Sequence, residues 1–398
     1  MKRIDFVRTF VIAGLVLQVI WYGMLWSRML IRPDESRPTD FSSFYTAGRI
    51  AYSGRYSLIY DIQTQRQFQE VLLGQTIQTS QVLPFMHPPI LVPVLQLIST
   101  QDYMAFYWRW VLILVCLLVA TTAVINQLLR AMKWDAGSRW IFIISAFLFY
   151  PVFASLLKGQ DTAFLLFGAV LWVYGVIMKK DIPAGIGLAL TVIRPQIAVM
   201  LAVPFFFNRR KIWWWFCVGA AALFAYSFIQ VGWTGVKDYL HILTISAGGI
   251  GYGLSEAAMF NFTGLVLRLA PGLGIGLVHA LGWGLFAAAL AGLCAVWRFS
   301  KSIDYRHIAL AATLSLFAAP HLHYHDLAFL IIPIICLALA GVESNRIKIN
   351  YASALPLAVS LALLFADLWD PLRYTVPYLL MAALPAFTWM VEKRYEAG

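Results

Sequence analysis

The sequence predicts an all-α polytopic membrane protein that crosses the bilayer about twelve times. Only 12% of its 398 residues are charged and 61% are hydrophobic, whereas a soluble globular protein has roughly 25% charged residues. So few charges cannot cover a water-facing surface, and long apolar runs recur along the whole chain. We therefore expect residues 1–398 to form a single integral membrane domain.

The apolar runs are the predicted crossings, because a helix needs about 20 apolar residues to cross roughly 30 Å of hydrocarbon. The first run, residues 6–26, follows Lys2, Arg3 and Arg8 and lacks a small-residue cleavage site. We therefore expect an uncleaved signal anchor there. The other long runs are residues 103–128, 140–157, 162–178, 212–231, 273–297, 308–320, 327–342, 351–366 and 375–391.

Two shorter apolar runs need a different explanation. Residues 182–193 and 197–207 are each too short to cross untilted, and Arg194, Pro195 and Gln196 separate them. This pattern predicts paired half-helices that meet inside the bundle.

The distribution of Lys and Arg predicts the orientation, because these residues accumulate in cytoplasmic loops. With both termini cytoplasmic, the whole net charge of +11 falls on the cytoplasmic side. This parity requires residues 88–99 to dip into the membrane and return as a re-entrant segment. The charge thus reflects orientation, and we expect no nucleic-acid partner. The cytoplasmic loops contain Arg130, Lys133, Arg139, Lys179, Lys180, Arg209, Arg210, Lys211, Arg298, Lys301, Arg306, Arg346, Lys348, Lys393 and Arg394.

Two long loops then lie on the extracytoplasmic side, at residues 27–87 and 233–272. The first loop is too apolar to be a linker. It contains residues at the spacing of an amphipathic helix lying along the membrane interface, namely Phe44, Ala47, Gly48, Ala51 and Tyr52.

Asp40 stands immediately before this interfacial helix. One interpretation is that it caps the helix by accepting a backbone N–H bond. The other is that it is a general base held at the membrane surface. The two are compatible, because a cap also fixes the direction of the carboxylate.

Three further polar residues are predicted on the same face. His87 precedes two prolines, which indicates either a rigid turn into a helix or a contact with a phosphate or sugar. Lys158 either snorkels to the interface or binds an anion. Gln160 follows Gly159 and offers both donors and acceptors to a sugar hydroxyl.

Arg194 lies between the two half-helices, at membrane depth. A charge there is costly and usually marks a functional site. A phosphate matches the guanidinium bidentately, and an ion pair with Asp161 is the structural alternative.

A second polar cluster contains His321, His323, His325 and Asp326. The three imidazoles share one side only if the segment is extended. A metal site is weakly indicated, since no Cys helps and no HExxH motif is present. An acyltransferase HxxxxD spacing and simple solvation of helix ends remain as alternatives.

Absent motifs exclude other classes. No GxxxxGK[ST] loop occurs, which disfavours an ATP-driven pump. No Asp-x-Asp pair is present, which disfavours metal-chelated nucleotide sugars. We expect neither a cofactor nor a bound metal.

A lipid or solute transporter is the main non-enzymatic alternative, because broken helices and an intramembrane Arg also occur in transporters. The cysteines lie inside apolar runs and indicate no disulfide: Cys116, Cys217, Cys294 and Cys336.

In their order along the chain, these motifs resemble glycosyltransferase family 87, a bacterial group of polyprenyl-phosphate-sugar-dependent membrane enzymes of the GT-C superfamily that includes mannosyltransferases. The resemblance covers about residues 1–333. It rests on Asp40-Phe-Ser-Ser-Phe-Tyr-Thr-Ala-Gly, Gly54-Arg-Tyr-Ser-Leu-Ile-Tyr, His87-Pro-Pro, Gly159-Gln, Gly185-Ile-Gly with Arg194-Pro-Gln, Pro320-His and Asp326-Leu.

The resemblance implies a GT-C-like bundle in a bacterial inner membrane, with its active site on the extracytoplasmic face. It implies that Asp40 is the catalytic base and that sugar, most often mannose, moves with inversion from a polyprenyl-phosphate donor to a lipid or glycan acceptor. The implied phosphate-binding residues are Arg194, Lys158, His321, His323 and His325. The implied sugar- or acceptor-binding residues are Tyr45, Arg49, Tyr56, His87, Gln160, Gln196 and Asp326.

Overall fold

A computed structural model describes residues 6–32, 39–247 and 256–393, and no β-strand occurs among them. The α-helices are α1 (Phe6–Ile31), α2 (Phe41–Tyr52), α3 (Ile62–Leu73), α4 (Val92–Ile98), α5 (Tyr103–Ala131), α6 (Ala136–Phe147), α7 (Tyr150–Leu157), α8 (Thr162–Ile177), α9 (Asp181–Leu190), α10 (Pro195–Ala202), α11 (Arg210–Ala247), α12 (Phe262–Leu269), α13 (Ile275–Phe299), α14 (Tyr305–Phe317), α15 (Ile331–Glu343), α16 (Ile349–Leu368), α17 (Asp370–Arg373) and α18 (Thr375–Lys393). Short 3₁₀ helices occur at Tyr56–Leu58, Thr79–Gln81, Pro89–Leu91, Thr191–Ile193, Val203–Phe206, Glu256–Ala258 and Tyr324–Leu330.

Within these residues, eight helical segments are long and apolar enough to cross a membrane. The predicted class, an all-helical polytopic membrane protein, is confirmed, while the count of twelve crossings and the dip at residues 88–99 stay predictions. The eight segments are Phe6–Ile31, Tyr103–Ala131, Ala136–Leu157, Arg210–Ile245, Ile275–Phe299, Tyr324–Glu343, Ile349–Leu368 and Asp370–Glu392.

One of these segments lies at the centre of the bundle. The segment Tyr324–Glu343 is 94% buried inside the protein, whereas Arg210–Ile245 and Ile275–Phe299 are each only 17% buried. The two exposed segments therefore present most of their apolar surface to the bilayer. The polar residues at the start of the buried segment consequently lie in the interior of the molecule.

The chain between α8 and α11 forms a helical hairpin with Arg194 at its turn. Both arms of the hairpin are short apolar helical segments, Asp181–Ile193 and Pro195–Phe206. At the base of the hairpin, Arg209 Nη2 lies 2.6 Å from Asp181 Oδ1, and this ion pair joins the two arms. Both ends of the hairpin are therefore at the same end of the bundle, opposite to Arg194.

Helices α8 and α9 approach each other through glycine. A Cβ added to Gly168 would lie 2.7 Å from the carbonyl oxygen of Gly187, a distance that real Cβ atoms do not adopt. Small residues allow this close backbone packing between membrane helices. The packing holds the hairpin, and with it Arg194, against α8.

The predicted first extracytoplasmic loop contains a helix that the protein covers. Ten of the twelve residues of α2 are buried, while its position along the membrane interface stays a prediction. Gly48 makes this burial possible, because any Cβ there would collide with the Phe106 ring and the Leu95 carbonyl group. The helix is therefore enclosed by α3, α4 and α5.

The predicted second extracytoplasmic loop, residues 233–272, contains helical segments. Helix α11 continues to Ala247 beyond a kink at Gly232, whose φ is 66°. Helix α12 and the 3₁₀ helix Glu256–Ala258 follow. Residues 248–255 of this loop, which include four glycines, lie outside the described residues.

Candidate functional site

An ion-paired cluster forms where α8, the hairpin and the central buried segment end together. Arg194 Nη2 lies 2.9 Å from Asp161 Oδ1, and Arg194 Nε lies 3.2 Å from Asp326 Oδ1. His87 Nδ1 lies 2.7 Å from Asp161 Oδ2. The side chains of Asp161 and Asp326 are 0% and 4% exposed. The pairing of Arg194 with Asp161 that the sequence left open is thus present, and Asp326 adds a second carboxylate.

The contact with Asp161 also orients the His87 ring. The ring nitrogen Nδ1 lies 2.7 Å from Asp161 Oδ2 and 3.2 Å from Arg194 Nη1, so it faces both members of the ion pair. The ring packs against Phe44, with 4.3 Å between the ring centroids.

The turn between α7 and α8 brings this cluster to the start of α2. Gly159 has φ +65°, and a Cβ there would lie 2.6 Å from the Phe41 ring. Only glycine adopts this left-handed conformation without strain. Trp110 Nε1 donates a 2.8 Å hydrogen bond to the Gly159 carbonyl oxygen. The turn is therefore pressed against the residue that follows Asp40.

Asp40 occupies the N-cap position of α2, but its side chain makes no capping hydrogen bond. Its carboxylate instead receives a hydrogen bond from the Gln160 side chain and interacts with the charge of Lys158. Burial alone would raise the pKa of Asp40, but the Lys158 charge and the Gln160 hydrogen bond hold this pKa below its usual value. The carboxylate is therefore ionised and directed into the cluster.

The histidines lie beside Asp40. Ring centroids are 4.6 Å apart for His321 and His323, and 5.9 Å apart for His323 and His325. The chain is extended at His323 and becomes a 3₁₀ helix from Tyr324, so neighbouring rings in the i, i+2 series meet. The backbone N–H of His323 donates to Asp326 Oδ2 at 3.1 Å, which closes this turn.

Burial keeps two of these imidazoles neutral. It lowers the pKa of His321 to about 3, with a smaller contribution from the charge of His323. Burial also lowers the pKa of His323. Neutral imidazoles act as hydrogen-bond donors or acceptors here, and the exposed Lys158 is a cation beside them.

Two neutral side chains beside Asp40 have a buried polar atom without a hydrogen-bond partner in the described part of the chain. The atoms are Gln160 Oε1 and His321 Nδ1. Buried polar atoms are nearly always paired, so each unpaired one needs an explanation. Gln196 is also close, because its Nε2 donates to the His321 carbonyl oxygen at 3.4 Å.

Three residues from the predicted site are not brought to Asp40. Helix geometry turns about 100° per residue, which places Arg49 on the opposite side of α2 from Asp40 and Tyr45 about 140° away. Both line a separate cavity, and the Tyr45 hydroxyl donates to the Gln101 carbonyl oxygen at 2.8 Å. Tyr56 is engaged elsewhere, since its hydroxyl accepts a 2.6 Å hydrogen bond from Gln96.

Sequence reasoning offered Asp161 only as an ion-pair partner of Arg194, whereas in the structure it pairs with both His87 and Arg194. The signal for its place in the site was its position directly after Gly159 and Gln160, at the predicted depth of Arg194. Within residues 6–32, 39–247 and 256–393, no group of three or more His, Cys, Asp or Glu side chains could hold a metal ion.

Comparison with known proteins identifies the family. The model of glycosyltransferase family 87 matches residues 85–320, which include His87, Gln160, Asp161 and Arg194. No curated protein and no solved structure matches the chain. The family match favours a sugar-transferring enzyme over the transporter and acyltransferase alternatives. The chain therefore belongs to glycosyltransferase family 87 and is a membrane glycosyltransferase.

Proposed function

We propose that this glycosyltransferase moves a sugar from a polyprenyl-phosphate donor to a hydroxyl group of a lipid or glycan acceptor. The reaction takes place at the extracytoplasmic face of a bacterial inner membrane, with mannose as the sugar that the family resemblance favours. The observation that carries the proposal is the Asp40 carboxylate, which stands at a helix N-cap without capping. It is directed instead toward Gln160 and Lys158.

Asp40 is the general base in this proposal. The acceptor oxygen attacks the anomeric carbon from the face opposite the phosphate, its proton passes to Asp40, and the configuration inverts. A carboxylate whose pKa lies below its usual value is a weak base. Proton transfer therefore follows the formation of the new C–O bond, because bonding to the anomeric carbon acidifies the acceptor hydroxyl.

The leaving group is a lipid phosphate, which departs with the electron pair of the broken C–O bond. Lys158 supplies a positive charge close to Asp40, and neutral His321 and His323 supply hydrogen bonds. Fixed donors of this kind stabilise the charge that develops in the transition state. His325 belongs to the same row of rings, so we assign it to the phosphate side as well.

We give Arg194 a role other than the phosphate binding that the family resemblance implies. Its guanidinium is engaged by Asp161 and Asp326, and its Nη1 lies 3.2 Å from His87 Nδ1. We therefore propose that Arg194 positions His87 and the rings of His321, His323 and His325. It does not bind the phosphate directly.

The unpaired atoms of the site provide the sugar contacts. Gln160 Oε1 and His321 Nδ1 are buried without a partner among the described residues. A sugar hydroxyl can donate to the amide oxygen and can satisfy the ring nitrogen. His87 Nε2 and Gln196 extend this polar surface on the hairpin side.

The test compares sugar transfer by wild type and by Asp40→Asn, reconstituted in nanodiscs with polyprenyl-phosphate-linked sugars and a mixed lipid extract as acceptor. We expect Asp40→Asn to lose about 100-fold or more of the transfer rate, as for the removal of a general base. Asp135→Asn is the matched control, because Asp135 caps α6 by accepting from the Ser138 N–H at 2.9 Å. This control should keep wild-type transfer.

Two results would overturn parts of the proposal. Full transfer by Asp40→Asn would exclude Asp40 as the base. Transfer by wild type from nucleotide sugars, with none from polyprenyl-phosphate sugars, would exclude the donor class.

A further inference from the structure

A second cavity lies beside α2, away from the ion-paired cluster. Its volume is about 830 Å³, which is within the range of small-molecule sites. Tyr45 and Arg49 of α2 line it, together with residues of α3 and of the segment 101–104. Because Arg49 is about 180° around α2 from Asp40, the helix separates this cavity from the proposed reaction centre.

Helix α3 contributes an unusual wall to this cavity. Its polar residues Gln65 and Gln69 are buried and hydrogen-bond the backbone of the extended segment near residues 83–85. Its apolar residues Phe68, Val71 and Leu72 line the cavity instead, and Val71 is 85% exposed. An apolar surface left open at this position favours contact with lipid chains over water.

Arg49 places a positive charge in the cavity. In the part of the chain that the structure describes, no carboxylate lies within ion-pair distance of its guanidinium, which stacks at 5.6 Å over the Tyr52 ring. The carboxylate of Asp102 lines the same cavity but accepts the Ala105 N–H at 2.8 Å. The amides of Gln67 and Gln101 are the neighbouring polar groups.

We propose that this cavity binds an anionic phospholipid of the surrounding bilayer. The phosphate lies at Arg49, where the guanidinium matches its oxygens, and the acyl chains lie along Phe68, Val71 and Leu72. Such a lipid satisfies both features of the cavity, a cation that forms no ion pair with the described residues and an open apolar wall. The site is independent of sugar transfer, because α2 keeps the bound phosphate on the far side from Asp40.

The experiment is native mass spectrometry of the full chain released from detergent, titrated with palmitoyl-oleoyl phosphatidylglycerol or phosphatidylcholine. Three variants are compared with wild type. Arg49→Gln removes the cation, and Val71→Ser removes apolar surface at an exposed position where folding is not at risk. Arg55→Gln is the matched control, since Arg55 is an exposed arginine of the same loop outside the cavity.

We expect wild type and Arg55→Gln to retain phosphatidylglycerol at least 5-fold better than phosphatidylcholine. Arg49→Gln should lose that preference, and Val71→Ser should bind both lipids more weakly. Equal binding of the two lipids by wild type, or an unchanged preference in Arg49→Gln, would overturn the proposal. A competition arm with polyprenyl phosphate separates the sources. If polyprenyl phosphate displaces phosphatidylglycerol at lower concentration in an Arg49-dependent manner, the occupant is a substrate lipid and the assignment to bilayer lipid is wrong.

Discussion

Asp161 and Arg194 face each other with 2.9 Å between Oδ1 and Nη2, and their side chains are 0% and 11% exposed. Breaking a buried ion pair by removing one partner leaves an uncompensated charge and costs about 3–5 kcal/mol. Arg194→Met should therefore unfold at a much lower temperature than wild type in detergent, as measured by tryptophan fluorescence.

Arg209→Met is the control for that loss. The pair of Arg209 and Asp181 is 22% and 29% exposed, so its removal should cost only about 1 kcal/mol or less. Equal melting temperatures for Arg194→Met and Arg209→Met would contradict the view that Arg194 holds the cluster together.

Gly159→Ala should reduce both stability and sugar transfer. The substitution forces a side chain into a left-handed conformation, which costs about 1–3 kcal/mol, and its Cβ meets the Phe41 ring at 2.6 Å. The start of α2 must then shift, and Asp40 with it. Gly74→Ala is the control, since Gly74 has the same φ of +65° but nothing within 4 Å of the added Cβ.

The two variants separate strain from displacement. Both should melt earlier than wild type, but only Gly159→Ala should lose transfer in the nanodisc assay. Loss of transfer in Gly74→Ala to the same extent would show that backbone strain alone explains the effect.

Acidification should destabilise the protein through His321. Its pKa is lowered to about 3 in the folded state, whereas the unfolded side chain has a pKa of about 6.5. Between these values the unfolded state binds the proton and the folded state does not, so stability falls as pH falls through this range. The slope is at most about 1.4 kcal/mol of unfolding free energy per pH unit for one such group.

His321→Gln should flatten this dependence, which a series of thermal melts between pH 7 and pH 4 would measure. His241→Gln serves as the control at a histidine outside the cluster, and it should keep the wild-type slope. A wild-type melting temperature that is constant over the series would contradict the buried neutral state of His321.

Lys158→Gln should move the acid limb of sugar transfer to higher pH. Lys158 is the largest of the influences that lower the pKa of Asp40, and they act against burial, which raises it. Without the ammonium group the carboxylate takes up its proton at a higher pH, and a protonated Asp40 is no base. The pH profile of the transfer rate measures this shift, and an unchanged acid limb would separate Lys158 from Asp40.

The membrane class and the positions of the helices followed from the sequence because apolar run length is a direct physical requirement of the bilayer. The break at Arg194 was equally readable, since a charge next to proline interrupts two short runs. The structure brings His87, Gln160, Gln196 and the histidines close to the cluster, while the membrane face on which they lie stays a prediction.

The environment of α2 was not readable in the same way. The pattern of Phe44, Ala47 and Ala51 predicts one apolar side, but Gly48 allows α4 and α5 to close over the other sides as well. Tyr45 and Arg49 were assigned to the sugar by motif alone, although helical periodicity already places Arg49 opposite Asp40. The inverted polarity of α3 depends on the hydrogen bonds of Gln65 and Gln69 to a distant segment, which local patterns do not contain.

The ion pair of Arg209 and Asp181 at the base of the hairpin has a consequence for the position of Arg194. From that ion pair, residues 181–193 extend about 20 Å at 1.5 Å per residue. This length is less than the roughly 30 Å thickness of the hydrocarbon layer. The length of this helical arm therefore sets how far Arg194 lies from the pair of Arg209 and Asp181. Inserting one residue into it would turn the tip by about 100° and raise it by about 1.5 Å, so Arg194 would miss both carboxylates.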